Sequence, residues 1–239
     1  MAAVRKVAIL QSNYIPWKGY FDLTAAVDEL ILYDDVQYTK NDWRNRNRIK
    51  TAQGVQWLTI PVPAGPLGRS IDSVTVGGDW AENHLTRLRY AYRAAPYYAR
   101  YEPAVADLYA AAARLDRLSD VNELFLRGLC DLLGVPARFT NCRDYRLDDP
   151  DPTGRLVGIC TQAGATEYLS GPAARAYLDE SRFRAAGVAV RYIDYAGYPE
   201  YPQLHGPYDP AVSALDLLFM TGPRAAGYLD RTAPVRAAG

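Results

Sequence analysis

The sequence predicts an α/β fold built on a parallel β-sheet, and the alternation of its apolar segments is the main evidence. A buried strand at 5–10 (RKVAIL) is followed by a loop, a short helical segment at 20–28 and a second apolar strand at 29–38. Later in the chain, strands predicted at 166–170 and 188–195 flank a helical stretch. Strands that alternate with helices in this way are typical of βαβ units, whose strands run parallel.

A β-hairpin is predicted to interrupt this alternation. The segment at 43–50 (WRNRNRIK) alternates strictly, so in a strand Arg44, Arg46 and Arg48 would share one face. A turn (AQG) and a strand at 56–62 follow, which completes the hairpin.

A helical segment is predicted at 80–133, where apolar residues recur at helical spacing and Pro96 breaks the pattern. Asp120 and Glu123 suit a capping box for its last helix, which Gly134 would end.

The remaining elements complete the α/β pattern. We expect a strand at 138–142, helices at 154–163 and 171–187, and a final helix for which Ser213 and Asp216 supply the cap.

Composition excludes several classes of protein. The chain has 239 residues, 27 Lys+Arg against 27 Asp+Glu and therefore no net charge, which argues against binding to nucleic acid or to an anionic membrane. No apolar run approaches the roughly 20 residues of a membrane span. The apolar N-terminal run predicts a strand and no signal peptide, so we expect a cytoplasmic protein. Cys130, Cys142 and Cys160 are too scattered for a disulfide framework or a metal site.

Tyrosine is unusually frequent, with 19 Tyr against 5 Phe. A buried tyrosine needs a partner for its hydroxyl, so a pure core favours phenylalanine. The excess suggests amphipathic pockets and interfaces lined by hydroxyl-tipped rings.

The first candidate site is the segment 11–20 (QSNYIPWKGY). It lies where a strand of a parallel sheet ends and a helix begins, which is where such folds bind ligands. The helix N-terminus suits an anion, Lys18 adds a full charge, and Gln11 and Asn13 offer directional hydrogen bonds. The alternative is a turn whose aromatic residues fill the core.

The second candidate site runs from Asp34 to Lys50 and carries a net charge of +2, from three Asp against two Lys and three Arg. Adjacent carboxylates in a strand point to opposite faces, so Asp34 and Asp35 are not automatically a catalytic pair. The arginines fit phosphate or carboxylate, unless they form a solvated hairpin face. Trp43 is either a core anchor or a stacking platform.

The third candidate site is formed by Ser170 and Gly171, which end a strand and open a helix, with Arg175 about one turn further on. A merely capped helix is the alternative.

His84 is either a satisfied, partly buried histidine or a general base, and His205 lies in a Pro/Gly loop. Two scattered histidines make a transition-metal site improbable.

Several motifs resemble the WbqC-like family, in order from about Val7 to Gly222: QSNYIPWKGYFDL, LYDDVQYTKNDWRNRNRIK, WLTIPV, NHLTRLRYAYRAAPYY, RLVGICTQAGATEYLSGPAARAYLD and the closing SALDLLF. Because the sequence has no internal repeat, low-complexity tract or clear linker, we expect one domain over 1–239, with the hairpin and the helical segment at 80–133 as insertions. The resemblance implies a role in surface-glycan (O-antigen) or natural-product biosynthesis. Transfer of glycine or another acyl group to an amino sugar has been suggested for the family.

The strand, the P-W-K-G-Y turn and the helix after it are similar in placement to the H-x-G-H turn of nucleotidylyltransferases and pantothenate synthetase-like ligases. That likeness implies a Rossmann-like, nucleotidylyltransferase-like sheet and its pocket. Trp17 and Tyr20 stand where those enzymes have histidines, so the adenylation chemistry is not implied.

The leading prediction is therefore a transferase that forms an amide or ester bond on a small polar substrate, a sugar or an amino acid derivative. The alternatives are a non-catalytic sugar- or nucleotide-binding accessory protein and a nucleotidyltransferase using an NTP. The sequence does not identify a cofactor; the candidate is a nucleotide such as ATP or a nucleotide-activated substrate, and no metal ligands are predicted. The predicted catalytic residues are Asp35, His84 and Lys18. The predicted substrate-binding residues are Gln11, Asn13, Tyr14, Trp17, Tyr20, Asp34, Tyr38, Arg44, Asn45, Arg46, Ser170, Gly171 and Arg175.

Overall fold

The fold is seen in a computed structural model, which describes residues 3–229. Seven strands lie within these residues: β1 (Lys6–Leu10), β2 (Glu29–Leu32), β3 (Arg46–Thr51), β4 (Gly54–Thr59), β5 (Phe139–Asn141), β6 (Glu167–Ser170) and β7 (Ala189–Tyr192). The same part of the chain has seven α-helices: α1 (Lys18–Ala25), α2 (Trp80–Tyr92), α3 (Tyr98–Ala112), α4 (Leu118–Leu133), α5 (Pro152–Gln162), α6 (Glu180–Ala185) and α7 (Ala214–Thr221).

Five of the strands form one parallel sheet in the order β5–β2–β1–β6–β7. The chain starts in the middle at β1, builds outward through β2 to β5, and then returns to the other side of β1 with β6 and β7. This order is that of a Rossmann-like sheet, and the reversal between β1 and β6 is its topological switch point. The predicted α/β fold with a Rossmann-like parallel sheet is confirmed.

Helices cover both faces of the sheet, which explains why its central strands are apolar. Along β2, Leu30 and Leu32 pack into one hydrophobic cluster while Ile31 packs into another, because successive side chains point to opposite faces. The larger cluster contains buried residues of α1 to α4, α7 and the hairpin. The smaller one contains Ile159 and Phe183, from α5 and α6.

Strands β3 and β4 form the predicted hairpin, separate from the parallel sheet. Gly54 has a φ of +95° in its tight turn, a conformation that favours glycine. Asn47 and Ile49 are buried, whereas Arg46 packs on Trp57 across the hairpin. Arg44 differs from the prediction, because it precedes the first hydrogen-bonded residue of β3 and does not share the strand face.

The prediction of one continuous helix over 171–187 is wrong. The stretch 171–187 divides into a 3-10 turn at Pro172–Ala176 and α6. Asp179 causes the division, since its carboxylate accepts a hydrogen bond from the backbone N–H of Ser181 and starts a new helix.

Two predicted caps also need correction. Helix α4 begins at Leu118, so Asp120 lies inside the first turn and there is no capping box; Glu123 instead pairs with Arg127. For α7, Ser213 caps the helix as expected. Asp216 is buried and accepts from the Tyr92 hydroxyl instead of completing a capping box.

Helices α2, α3 and α4 occupy the segment 80–133, with Pro96 in the break between the first two. That residues 1–239 form a single domain with an insertion stays a prediction. Within residues 3–229, no helix combines the length and the apolar character needed to cross a membrane.

Candidate functional site

A cavity of about 410 Å³ opens at the switch point of the parallel sheet, and we call it the switch-point cavity. Its lining combines apolar, aromatic, amide and hydroxyl groups with one cation. The lining residues are Ile9, Leu10, Gln11, Asn13, Trp17, Tyr20, Tyr33, Arg44, Pro152, Leu156, Tyr168, Ser170, Gly171, Ala173, Ala174, Tyr177 and Tyr195.

The topology of the sheet brings these residues together. Gln11 follows the end of β1, and Ser170 and Gly171 lie at the end of β6, the strand that pairs with β1. Tyr33 follows β2 and Tyr195 lies just beyond β7. The carboxyl ends of parallel strands lie at the same edge, which is where open α/β sheets bind ligands.

Aromatic rings form much of the wall. The Trp17 indole packs edge-on against Tyr195, with 5.1 Å between the ring centroids. Tyr168 stacks on Phe183 behind it, and its hydroxyl oxygen accepts a hydrogen bond of 3.3 Å from the Ser170 hydroxyl. The Tyr20 hydroxyl donates to the Gln11 carbonyl oxygen at 3.2 Å. The rings therefore have fixed partners and offer a preformed surface.

Arg44 is the cation of the cavity lining. Its guanidinium donates to the Asn13 Oδ1 and lies 3.4 Å from a carboxylate oxygen of Asp42. Its backbone carbonyl accepts from the Asn122 amide at 2.9 Å, so main chain and side chain are both held. Only 15% of the side chain is exposed. A guanidinium positioned in this way can bind a phosphate or a carboxylate with two hydrogen bonds.

The two adjacent aspartates face different ways. Asp34 is buried, and one of its oxygens accepts from the Ser12 backbone N–H at 2.8 Å. Burial raises the pKa of the Asp34 carboxyl, although the Ser12 hydrogen bond opposes the shift. Asp35 is exposed and forms an ion pair with Arg155. Neither aspartate is part of the cavity lining.

Lys18, predicted as catalytic, lies outside the lining in a cage of tyrosines. Its Nζ is 5.0 Å from the ring centre of Tyr198, 5.3 Å from that of Tyr201 and 5.6 Å from that of Tyr208. It also donates to the Pro199 carbonyl at 2.9 Å. Burial lowers the pKa of the Lys18 ammonium to about 8, but the ring faces favour a cation. These contacts tie α1 to the loop after β7.

His84, also predicted as catalytic, is buried in the core. Its Nδ1 lies 2.8 Å from the Tyr14 hydroxyl, which in turn lies 2.6 Å from the Tyr109 hydroxyl. Its Nε2 lies 3.2 Å from the Thr59 carbonyl oxygen. Burial lowers the pKa of the His84 imidazole to about 4, so it is neutral at pH 7. Neither His84 nor Tyr14 lines the cavity.

Four other predicted binding residues also lie away from the lining. The Tyr38 ring is covered by Arg69, and Asn45 donates to the Ile60 carbonyl inside the hairpin. The Arg46 guanidinium lies over Trp57, and that of Arg175 lies over Tyr192. The structure thus brings together seven of the predicted residues: Gln11, Asn13, Trp17, Tyr20, Arg44, Ser170 and Gly171.

The sequence prediction did not assign Tyr33, Tyr168, Tyr177 and Tyr195 to the site. Two of them could have been found, because Tyr33 directly follows β2 and Tyr195 is the last residue of the strand predicted at 188–195. Tyr177 could not, since the helix predicted there is divided and its ring is carried by the irregular segment between the two parts.

The described residues hold no group of three or more His, Cys, Asp and Glu side chains that could bind a metal ion. The three cysteines are buried and unpaired with one another. Burial raises the pKa of Cys130 and of Cys160 to about 12, which disfavours the reactive thiolate.

A methyl group at Gly19 is expected to disturb the cavity wall. A Cβ there would lie 2.4 Å from the indole ring of Trp17, which folds back over this glycine. Gly19→Ala must therefore displace the indole, and we expect a loss of about 1–3 kcal/mol in the free energy of unfolding together with a shift in tryptophan fluorescence. Chemical denaturation and emission spectra measure both effects.

Gly158→Ala is the matched control, because a Cβ at this helical glycine of α5 has room, with its nearest neighbour 4.0 Å away. That variant should be as stable as the parent or more stable. Equal stability and equal emission spectra for Gly19→Ala and the parent protein would contradict the packing of Trp17 described above.

Comparison with known proteins gives a consistent family assignment. A sequence model described as the WbqC-like protein family matches residues 11–228. The chain is also 50% identical over 228 residues to the "Uncharacterized protein Rv1507c" of Mycobacterium tuberculosis (strain ATCC 25618 / H37Rv), a match covering 95% of this chain and 98% of the relative. No solved structure matches the chain.

Proposed function

Since this chain belongs to the WbqC-like protein family, we propose that it is a biosynthetic transferase acting on a small polar molecule bound in the switch-point cavity. The transferred group is an acyl or aminoacyl group of the glycyl type, and the acceptor is an amino sugar or a similar amine. The pathway is one for a surface glycan or a natural product. The observation that carries the proposal is the cavity itself, in which aromatic walls, amide groups and a held guanidinium face one volume.

The size and the lining of the cavity fit a small polar molecule. Its volume of about 410 Å³ falls in the range of small-molecule sites, which are mostly apolar with a few placed polar groups. Tyrosine and tryptophan rings offer an apolar face and a polar edge, which suits a sugar ring with both C–H and O–H groups. Gln11 and Ser170 add hydrogen-bonding groups on opposite sides of the switch point.

Arg44 suits the charged part of an activated donor. In amide formation, the amine nitrogen attacks the donor carbonyl and forms the C–N bond. The bond from the carbonyl carbon to the leaving group breaks, and the leaving group departs with that electron pair. It is a phosphate for an acyl phosphate or acyl nucleotide, the CoA thiolate for acetyl-CoA, and a ribose alkoxide for glycyl-tRNA. The ammonium proton passes to solvent or to the leaving group. A guanidinium beside the leaving group stabilises the charge that develops on it.

A binding protein without catalysis is the second candidate, and the positions of the predicted acid and base favour it. Asp35, His84 and Lys18 all lie outside the cavity lining. The proposed reaction does not require these three side chains, and their catalytic roles stay sequence predictions.

Mass spectrometry of an incubated mixture tests the proposal. The protein is mixed with glucosamine 1-phosphate as the acceptor and, in separate reactions, with glycine plus ATP and Mg²⁺, with acetyl-CoA or with glycyl-tRNA. A mass gain of one acyl group on the amino sugar is expected with one of these donors. Calorimetric binding of glucosamine 1-phosphate without any mass gain would favour the binding protein. Pyrophosphate release without acylation would favour the nucleotidyltransferase, and absence of binding would contradict all three.

A further inference from the structure

A second cavity of about 230 Å³ adjoins the switch-point cavity, and we call it the side cavity. Its lining residues are Asn13, Pro16, Trp17, Trp43, Asn47 and Ala211. Asn13 and Trp17 line both cavities, so the two volumes share a wall. The side cavity is smaller than a site for a whole ligand, which typically exceeds 300 Å³. It therefore suits one part of a ligand whose remainder lies in the larger cavity.

The walls of the side cavity are flat and apolar. Two indoles and a proline ring supply most of the surface, and Asn47 adds little polarity because its amide already donates to the Tyr14 carbonyl and accepts from the Arg48 backbone N–H. The Asn13 oxygen is likewise taken by Arg44. A planar ring suits such a slot better than a flexible chain, since ring stacking adds to the burial of apolar area.

Trp43 is held as a stacking surface. Its ring is 39% exposed and lies 5.3 Å from the ring of Trp57, and its carbonyl accepts from the Tyr14 N–H at 3.0 Å. The Arg48 guanidinium lies 5.9 Å from the Trp43 ring centre and donates to the Ala211 carbonyl at 2.9 Å. Arg48 thus ties the two sides of the side cavity together.

We propose that the side cavity binds the nucleobase of a nucleotide-activated donor, between Trp43 and Trp17. The phosphate of the donor then lies against Arg44, which is bonded to Asn13 on the shared wall, and the transferable group lies in the switch-point cavity. This inference rests on the proposed function and names the class of its donor. Stacking of a base on an aromatic side chain is tolerant of base identity, so purines and pyrimidines both fit the proposal.

Binding of nucleotides with and without a base tests this assignment. Calorimetric titrations of the wild-type protein with AMP, UMP and ribose 5-phosphate separate the base from the sugar phosphate. Because base stacking contributes about 1–3 kcal/mol, at least one of the two nucleotides should bind about tenfold more tightly than ribose 5-phosphate. Equal affinity for all three would overturn the nucleobase assignment.

Two variants locate the base in the side cavity. Trp43→Leu removes the stacking surface, and Ala211→Leu fills the volume of the side cavity. In each variant, AMP and UMP should bind no more tightly than ribose 5-phosphate. Ribose 5-phosphate itself should bind as it does to the parent. Trp57→Leu is the matched control, since Trp57 is 37% exposed beside Trp43 but does not line the cavity. It should keep most of the nucleotide advantage.

The outcomes distinguish this inference from the proposed function. If ribose 5-phosphate binds but the base adds nothing, the nucleobase assignment fails and the switch-point site stands. If the advantage persists in both Trp43→Leu and Ala211→Leu, the base binds elsewhere and the inference is wrong. Butyrate serves as an aliphatic probe in the same titrations. If it binds more tightly than AMP and UMP, and if Trp43→Leu and Ala211→Leu weaken its binding, the occupant is an acyl chain and the inference is again wrong. If no phosphate-bearing probe binds, the proposed function itself is contradicted.

Discussion

Replacing Arg44 with methionine is expected to weaken the binding of a sugar phosphate about 10- to 100-fold. Arg44 is the cation in the cavity lining, and its guanidinium is oriented by Asn13 and by Asp42. A hydrogen bond to a charged group contributes about 1.5–3 kcal/mol, and each 1.4 kcal/mol is a factor of ten in affinity. Methionine keeps the apolar stem of the side chain, so the loss reports on the charge and its hydrogen bonds.

Calorimetry with ribose 5-phosphate measures this effect. Arg44→Lys should give an intermediate affinity, because the ammonium keeps the charge but cannot form two parallel hydrogen bonds. Binding to Arg44→Met should also depend less on salt, since the screened attraction is gone. Arg114→Met, a change at an exposed arginine outside the cavity, is the control and should bind as the parent does. Parental affinity of Arg44→Met would place the anion site elsewhere.

The parallel sheet could be predicted because its signal is local, whereas the order of its strands could not. The apolar run of each strand and the helical periodicity between them are visible in the sequence. The pairing of β6 with β1 joins residues about 160 positions apart, as in Lys6 with Glu167, and no local pattern encodes it. That pairing brings Gln11 and Ser170 into one cavity, so the site depends on the part of the fold that a sequence pattern does not reveal.

The roles of Asp34 and Asp35 show the limit of arguments from strand alternation. The sequence predicts a strand through both residues, which would send them to opposite faces, but β2 ends at Leu32. Their directions are instead set by tertiary contacts: the Ser12 N–H binds Asp34 in the interior, and Arg155 binds Asp35 outside.

The tyrosine excess has two structural origins. Part of it lines the switch-point cavity, as the composition suggested. Another part forms hydrogen-bonded networks in the core. There the Tyr14 hydroxyl contacts His84 and the Tyr109 hydroxyl, and Tyr92 donates to Asp216. Composition does not distinguish these uses, because a tyrosine hydroxyl is satisfied equally well by a buried partner or by a ligand.

Protonation of His84 is expected to destabilise the protein in mildly acidic solution. Burial lowers the pKa of this imidazole from 6.5 to about 4 in the folded state. Between these values the unfolded chain binds a proton at His84 that the folded protein does not, so the free energy of unfolding falls as the pH falls from 6.5 to 4. Below pH 4 both states are protonated and the effect is complete. A difference of about 2.5 pKa units corresponds to about 3 kcal/mol.

Burial is the main cause of the preference for the neutral ring, and the hydrogen bond to the Thr59 carbonyl partly opposes it. The Nε2–H donates to the Thr59 carbonyl, and Nδ1 accepts from the Tyr14 hydroxyl, whose oxygen accepts from Tyr109. Both ring nitrogens of His84 and the hydroxyls of Tyr14 and Tyr109 then have hydrogen-bond partners. A proton on Nδ1 would put a charge into a buried site and would oblige Tyr14 to reverse its hydrogen bonds.

Urea denaturation of the parent and of His84→Gln at several pH values between 7 and 4 measures this effect. Glutamine has hydrogen-bonding groups but does not titrate in this range. The difference in unfolding free energy, parent minus variant, should therefore decrease as the pH falls, with a limiting slope of about 1.4 kcal/mol per pH unit. His205→Gln controls for the substitution itself, because it makes the same change at an exposed loop position outside the hydrogen-bond network of His84. A parent-minus-His84→Gln difference that does not change with pH would contradict this prediction. It would mean that the buried His84 is as easily protonated in the folded protein as in the unfolded chain.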